Sequence, residues 1–380
     1  MELATFRYTP EEGFSLPTLP ALDSANTVVM VFGAPELSDR PAPLEALSSA
    51  YPSSHVIGCS TAGEVCGTEL RDESLAIAVA RFERTTTRLA TAKVQSAADS
   101  FEAGRSIAAQ MWTPDLRAVF VLSDGLHVNG SDLVRGLNAV LPREVIVTGG
   151  MAGDGPRFAS TWVLSDRKPV SGIVSAVGFY GDSVRVGHGC RGGWDLFGPE
   201  RTVTRSEGNL LYELDGRPAL DLYKTYLGER AAGLPATALL FPLAIRSDNS
   251  EQNRLVRTVL AVDEKAQSMT FAGDVPQGHA AQLMKGNFDR LVDGAALAAT
   301  QAAPGPAAEG ASVAILVSCI GRKLLLGQRI GEEVETVADI LGPDAAMTGF
   351  YSYGEISPHS ATGMCELHNQ TMTITVFSEN

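Results

Sequence analysis

Five cysteines, six histidines and three tryptophans in 380 residues leave this chain little material for metal or redox chemistry. The cysteines are odd in number and none forms a CxxC: Cys59 and Cys66 lie seven apart, and Cys190, Cys319 and Cys365 stand singly. That pattern excludes a disulfide framework and predicts reduced thiols. The histidines form no HExxH, so a zinc site would need two separate halves, His188 with Cys190 and Cys365 with His368, to meet. There is no GxxxxGK[ST] phosphate loop and no GxSxG elbow. Lys and Arg number 30 against 44 Asp and Glu, and the net charge of −14 argues against a nucleic-acid backbone or an anionic membrane as partner. No stretch approaches the roughly 18 uninterrupted apolar residues of a membrane helix, and residues 1–6 carry no basic run leading into an apolar one. The expectation is a cytoplasmic protein that binds neither nucleic acid nor membrane.

What is present describes a folded chain, 44% hydrophobic and 19% charged, long enough for two domains. Its most informative feature is an internal repeat. An apolar run at 28–32 is followed by Leu44, Leu47 and Tyr51 at helical spacing, then by a strand at 56–57 entering Gly58-Cys59-Ser60-Thr61-Ala62-Gly63-Glu64, and by a third strand at 75–82. The order recurs with a strand at 118–122, a helix N-capped by Ser131, a strand at 145–147 and Gly149-Gly150-Met151-Ala152-Gly153-Asp154. A third copy runs from 313–317 through a helix ending at Gly342 to Gly349-Phe350-Tyr351-Ser352-Tyr353-Gly354-Glu355, with a closing strand at 371–377. Strand start and glycine turn are separated by 30 residues from Val28 to Gly58, 30 from Val119 to Gly149 and 36 from Val313 to Gly349. Met269-Thr270-Phe271-Ala272-Gly273-Asp274 is a weaker fourth echo. A connecting helical segment is expected over 209–227, a break at Gly233-Leu234-Pro235 and a surface loop over 301–310. Adjacent strands without an intervening helix exclude a purely parallel sheet. The predicted fold class is α+β, two pseudo-repeated lobes with mixed β-sheets covered by helices.

Each glycine turn ends in an acid: Glu64, Asp154 and Glu355, with Asp274 in the fourth echo. Two readings stand. Each carboxylate ties down its own turn, or the three line one pocket for a polar or cationic ligand such as an amino acid, with Tyr351 or Tyr353 closing over it. As an enzyme the chain would need Asp154 and Glu355 as acid and base or Cys59 as nucleophile. None has an identifiable base and orienting group, so no enzyme is expected. Gly187-His188-Gly189-Cys190-Arg191-Gly192 spells GxGxxG after a strand, but no helix follows to hold a pyrophosphate. A haem needs only one strong axial ligand and an apolar slot. His188 is the preferred metal ligand, with Cys190 close by and Trp194 and Phe197 following; His127 and His368 are the alternatives.

The three glycine turns, Gly192-Gly193-Trp194, the 212–220 segment with Tyr226-Leu227-Gly228, Phe271-Ala272-Gly273-Asp274, Tyr353-Gly354-Glu355 and Leu367-His368-Asn369-Gln370-Thr371 resemble the FIST family of sensory proteins. The resemblance spans about 27–377 and implies an N-terminal domain over 27–215 after a 1–26 extension, and a C-terminal domain over 216–380. It implies a ligand-sensing module, inferred for the family to bind small molecules such as amino acids and here expected to act on a separate signalling partner. Some stand-alone members are NosP-type proteins that carry haem b, sense nitric oxide and modulate a histidine kinase or a cyclic-di-GMP enzyme.

Overall fold

Three chain segments are buried along all or nearly all of their length: Thr27–Gly33, Leu116–Ser123, where Arg117 alone is partly exposed, and Ser312–Cys319. Such runs suit strands covered on both faces. In the computed structural model, which describes residues 1–247, 254–303, 310–359 and 363–380, each is the centre of a sheet of its own. Each leads through helix to a parallel neighbour. Thr27–Gly33 passes through α1 (Ala42–Ala50) to His55–Ser60, and Leu116–Ser123 through α3 (Gly130–Asn138) to Ile146–Met151. Ser312–Cys319 passes through α6 (Ile320–Leu326) and α7 (Ile330–Leu341) to Ala345–Ser352. On its other side each central strand takes an antiparallel partner, Leu75–Arg81, Ile173–Tyr180 and Met372–Glu379 respectively. The repeat is therefore a threefold one, and α+β with mixed sheets describes it.

The units exchange arms in a ring. After the first glycine turn, Glu64–Cys66 leaves its own sheet and pairs with Ala345–Ser352 of the third. The third unit's Gly354–Pro358 pairs with Ile146–Met151 of the second, and the second unit's Val163–Ser165 reaches His55–Ser60 of the first. Alternate residues of the central strands, Met30 and Phe32, Phe120 and Leu122, Ile315 and Val317, share one core. Phe32 stacks on Phe350 at 4.7 Å and Phe179 on Phe377 at 4.3 Å between centroids. Helices cover the outer faces: α1 the first sheet, α2 (Ser100–Met111) with α3 the second, and α5 (Phe288–Ala302) with α7 the third.

Between the second and third units the chain builds a fourth, antiparallel sheet from strands between Trp194 and Gly286, with α4 (Ala219–Leu227) packed on it around Leu211, Leu220, Phe241 and Phe271. Three expectations are corrected here. The 209–227 stretch is not a continuous helix: Leu210–Leu214 is a strand, and positive φ at Asp215 and Gly216 turns the chain before α4 begins. The fourth echo is no fourth unit, because Ser268–Phe271 pairs antiparallel with Val259–Asp263 as a hairpin. Asn129, not Ser131, caps α3, its side chain accepting from the backbone N–H of Ser131 and Asp132. Residues 304–309 of the expected surface loop lie outside the described residues.

Candidate functional site

The three glycine turns do converge, and backbone bonds close a ring among them. Ala62 N–H donates to Tyr351 O (2.8 Å), Gly153 N–H to Ser60 O (3.0 Å) and Tyr353 N–H to Met151 O (3.2 Å). Their acids, however, are committed. Glu64 is buried and accepts from the backbone N–H (3.0 Å) and hydroxyl (2.8 Å) of Ser74 and from the Thr61 hydroxyl. Glu355, wholly buried, accepts from Ser352 Oγ (2.7 Å) and from the N–H and hydroxyl of Thr371. Burial pushes Glu64 up to about 7 and Glu355 to about 8 against those hydrogen bonds. Asp154 accepts from Phe158, Ala159 and Ser160 backbone N–H groups at 2.8–2.9 Å and from the Tyr353 hydroxyl. For Asp154, burial raises the pKa, but these four donors outweigh it and hold the carboxyl below its usual range. Tyr353 does not close over a ligand; its ring stacks on Phe158 at 4.4 Å and its hydroxyl is given to Asp154.

Glu64 and Asp154 line one cavity of about 320 Å³ with Lys323 and Arg157, and Glu355 is not among its walls. Lys323 already donates to Ala62 O (2.8 Å) and pairs with Asp72, and Arg157 pairs with Glu36. The reading in which each acid ties its own turn accounts for this geometry. Glu64 and Asp154 are thereby not available to grip an ammonium group, whereas Glu73, exposed on the same cavity, has no hydrogen-bond or ion-pair partner among the described residues.

His188, Cys190 and Trp194 come together elsewhere. His188 lies on the strand Val184–Arg191, not in a loop, paired with Met372–Glu379. The glycines of the GxGxxG match have a packing cause: a Cβ on Gly187 or Gly189 would collide with the carbonyl oxygens of Ala302 and Ala298, so they let α5 lie directly on the strand. Two residues apart on a strand, His188 and Cys190 share a face. Both line a cavity of about 620 Å³ at the meeting of the third and fourth sheets, with Trp194, Val256, Met284 and His359. Trp194 is fixed by its indole N–H on Gln370 O (2.8 Å), and the Gly192 carbonyl by Arg322 Nη1 (2.6 Å).

Among the described residues the His188 side chain has no hydrogen-bond partner, and burial pushes its pKa down, which keeps the imidazole neutral. The other candidates are occupied. His127 Nδ1 faces Asp124 Oδ1 at 3.1 Å, and His368 Nε2 bonds Ser357 O at 2.9 Å in a buried site that pushes its pKa down to about 3. Burial pushes the Cys190 thiol up to about 12, so it is no thiolate ligand at neutral pH. The two half zinc sites do not meet: no group of three or more His, Cys, Asp or Glu suited to a metal ion occurs among the described residues.

The chain matches the FIST N domain over residues 27–217 and the FIST C domain over residues 219–358. It belongs to the FIST family. Domains of this family are associated with sensory, ligand-binding roles in signalling. Among solved structures it is similar to a crystal structure of cyanuric acid hydrolase from A. caulinodans, at 8% identity and a TM-score of 0.36, over 100% of this chain and 99% of that one. No curated protein matches the chain in sequence. None of the helices in the described residues is long and apolar enough to cross a membrane.

Proposed function

We propose that this FIST protein is a cytoplasmic sensor whose small molecule or cofactor occupies the His188 cavity, and that it passes the occupancy to a separate signalling partner such as a histidine kinase or a cyclic-di-GMP enzyme. The observation that carries the reading is the His188 imidazole, neutral, without a hydrogen-bond partner among the described residues and lining about 620 Å³ of space. That volume suits a ligand site of about 300–1,000 Å³. The donor set fits haem b. His188 is a single nitrogen ligand, Trp194, Val256 and Met284 are apolar walls, and Arg191 and Arg254 are cations for the propionates. Bound there, haem would supply an iron whose axial ligation responds to nitric oxide. The chain's part is to hold the ring on His188 and to transmit the change through Gly192 and Trp194, which are tied to the third unit by Arg322 and Gln370.

Binding rather than turnover is further supported at Cys59, whose thiol is wholly buried and pushed far up, the opposite of an activated nucleophile. The test is the absorption spectrum of the purified chain as isolated and after adding haem, with His188→Ala beside it. A Soret band that moves with nitric oxide and is lost in the variant is expected. Equal spectra from the two proteins would remove His188 as ligand, and no Soret band in the loaded native chain would remove haem.

A further inference from the structure

A second cavity, of about 660 Å³, lies on the other side of the strand Leu255–Arg257, where the fourth sheet meets the second. In a chain of net charge −14 its walls carry four arginines, Arg135, Arg143, Arg246 and Arg257. Two acids, Asp274 and Glu366, face the same space. Arg135, whose side chain is largely exposed, is paired with Asp132, a pair of the kind worth about 0–1 kcal/mol and easily shared with a competing anion, and Arg246 is paired with Glu200. Arg143 is exposed and has no ion pair among the described residues.

Arg257 makes this a built site. The residue is only 4% exposed, yet no carboxylate hydrogen-bonds it among the described residues. Nε donates to Asp274 O (2.8 Å), and Nη1 to Val256 O (3.2 Å) and Leu367 O (3.0 Å). Nη2, with two N–H groups, donates to no described residue, and the side chain lines the cavity. Nη2 opens on the cavity, so its N–H groups are offered to water or to an anion that enters, with Asp274 and Glu366 as the nearby opposite charges. Burial pushes Arg257 down to about 10, so it remains a cation at neutral pH. Gly273 leaves the room for it: a Cβ there would lie 3.0 Å from Nε. That gives the Phe271-Ala272-Gly273-Asp274 motif a reason unrelated to the repeat.

We propose that this cavity binds a small polyanion, a molecule with two or more phosphate or carboxylate groups, one of them received by Arg257 Nη2 and another by Arg135 and Arg143. A planar guanidinium with two free N–H groups suits an oxyanion, and α3 sets the Arg135 side of the cavity opposite the Arg257 strand. This site is separate from the His188 cavity, with Leu255–Arg257 and His359 as the shared wall.

The experiment is isothermal titration of the full chain with sodium pyrophosphate and, separately, with citrate, at low and at 0.5 M salt. Saturable binding of either probe, weakened by salt, is expected. Pyrophosphate alone would identify a phosphate ligand, citrate alone a carboxylate one. Arg257→Met should weaken binding at least tenfold, and Arg135→Ala/Arg143→Ala several-fold. The double variant touches exposed side chains and decides the matter if Arg257→Met fails to fold. His188→Ala should bind as the native chain does; loss of binding there would overturn a separate site. No saturable binding of either probe, or unchanged affinity in the folded arginine variants, would overturn the proposal.

Discussion

Replacing Arg322 by methionine should destabilise the protein by about 3–5 kcal/mol, the range for removing one partner of a buried ion pair. Arg322 and Glu333 are both wholly buried, joined through Nη2 (2.7 Å) and Nε (3.1 Å) to one carboxylate oxygen. The guanidinium also donates to the carbonyls of Gly192 (2.6 Å) and Leu291 (2.8 Å), while the other carboxylate oxygen accepts from Ser318 Oγ (3.1 Å) and Tyr351 OH (2.7 Å). Methionine fills much of the same volume, so the cost is electrostatic. It leaves Glu333 charged and buried with two neutral donors, and two carbonyls unpaired, a loss near the top of the range. Arg322→Met/Glu333→Leu removes both charges, and apolar pairs of similar size are often neutral, so the double variant should recover half or more of the loss. Urea unfolding read by tryptophan fluorescence measures this as a shift in midpoint at constant slope. A single-variant loss under about 1 kcal/mol, or a double variant as unstable as the two single losses together, would refute the reasoning. The same variant frees the Gly192 carbonyl at the rim of the His188 cavity, so haem or ligand binding there should weaken in parallel.

Stability should fall as pH rises. Glu64 and Glu355 are held near 7 and 8 by burial, above the ordinary 4.5, so the native state keeps protons that the unfolded chain releases. Their contribution is full below pH 4.5 and is lost as pH climbs through 7 and 8. Glu355→Gln should flatten the urea midpoint between pH 5 and 8.5, and an unchanged slope would count against the assignment. Gly189→Ala should cost about 1–3 kcal/mol by forcing α5 off its strand, read as a fall in melting temperature, whereas Gly155→Ala, which meets nothing within 4 Å but holds φ +72°, should cost about 1 kcal/mol through backbone strain alone.

The threefold repeat was legible because each unit repeats a local pattern: a buried strand, a helix, a second strand and a glycine turn. The exchange of arms was not. Glu64–Cys66 pairs with a strand some 280 residues later, and nothing local in a three-residue strand names its partner. The acids were legible as turn residues, since Thr61 three before Glu64 and Ser352 three before Glu355 place a hydroxyl within reach. The 209–227 stretch misled because Leu211, Leu214, Leu220, Leu222 and Tyr223 all enter one core, first as strand and then as helix, and the turn between them carries its signal only in Asp215-Gly216. His188 with Cys190 was visible by spacing alone. Arg257 was invisible, a lone arginine in a three-residue strand whose meaning depends on what packs around it.

The repeat and the inserted sheet divide the work between them. Within the threefold frame the buried carboxylates are answered locally: Glu64, Asp154 and Glu355 by their turns, and Glu333 by Arg322. These buried carboxylates therefore offer a ligand little. Two basic groups without a hydrogen-bond partner among the described residues, the His188 imidazole and Arg257 Nη2, stand at seams where the fourth sheet meets the third and the second. Because arm exchange binds each unit to the next, the fourth sheet is the one large element that rests on the frame without being threaded through it. On the proposed function, a ligand at either seam would act on the contact between frame and inserted sheet.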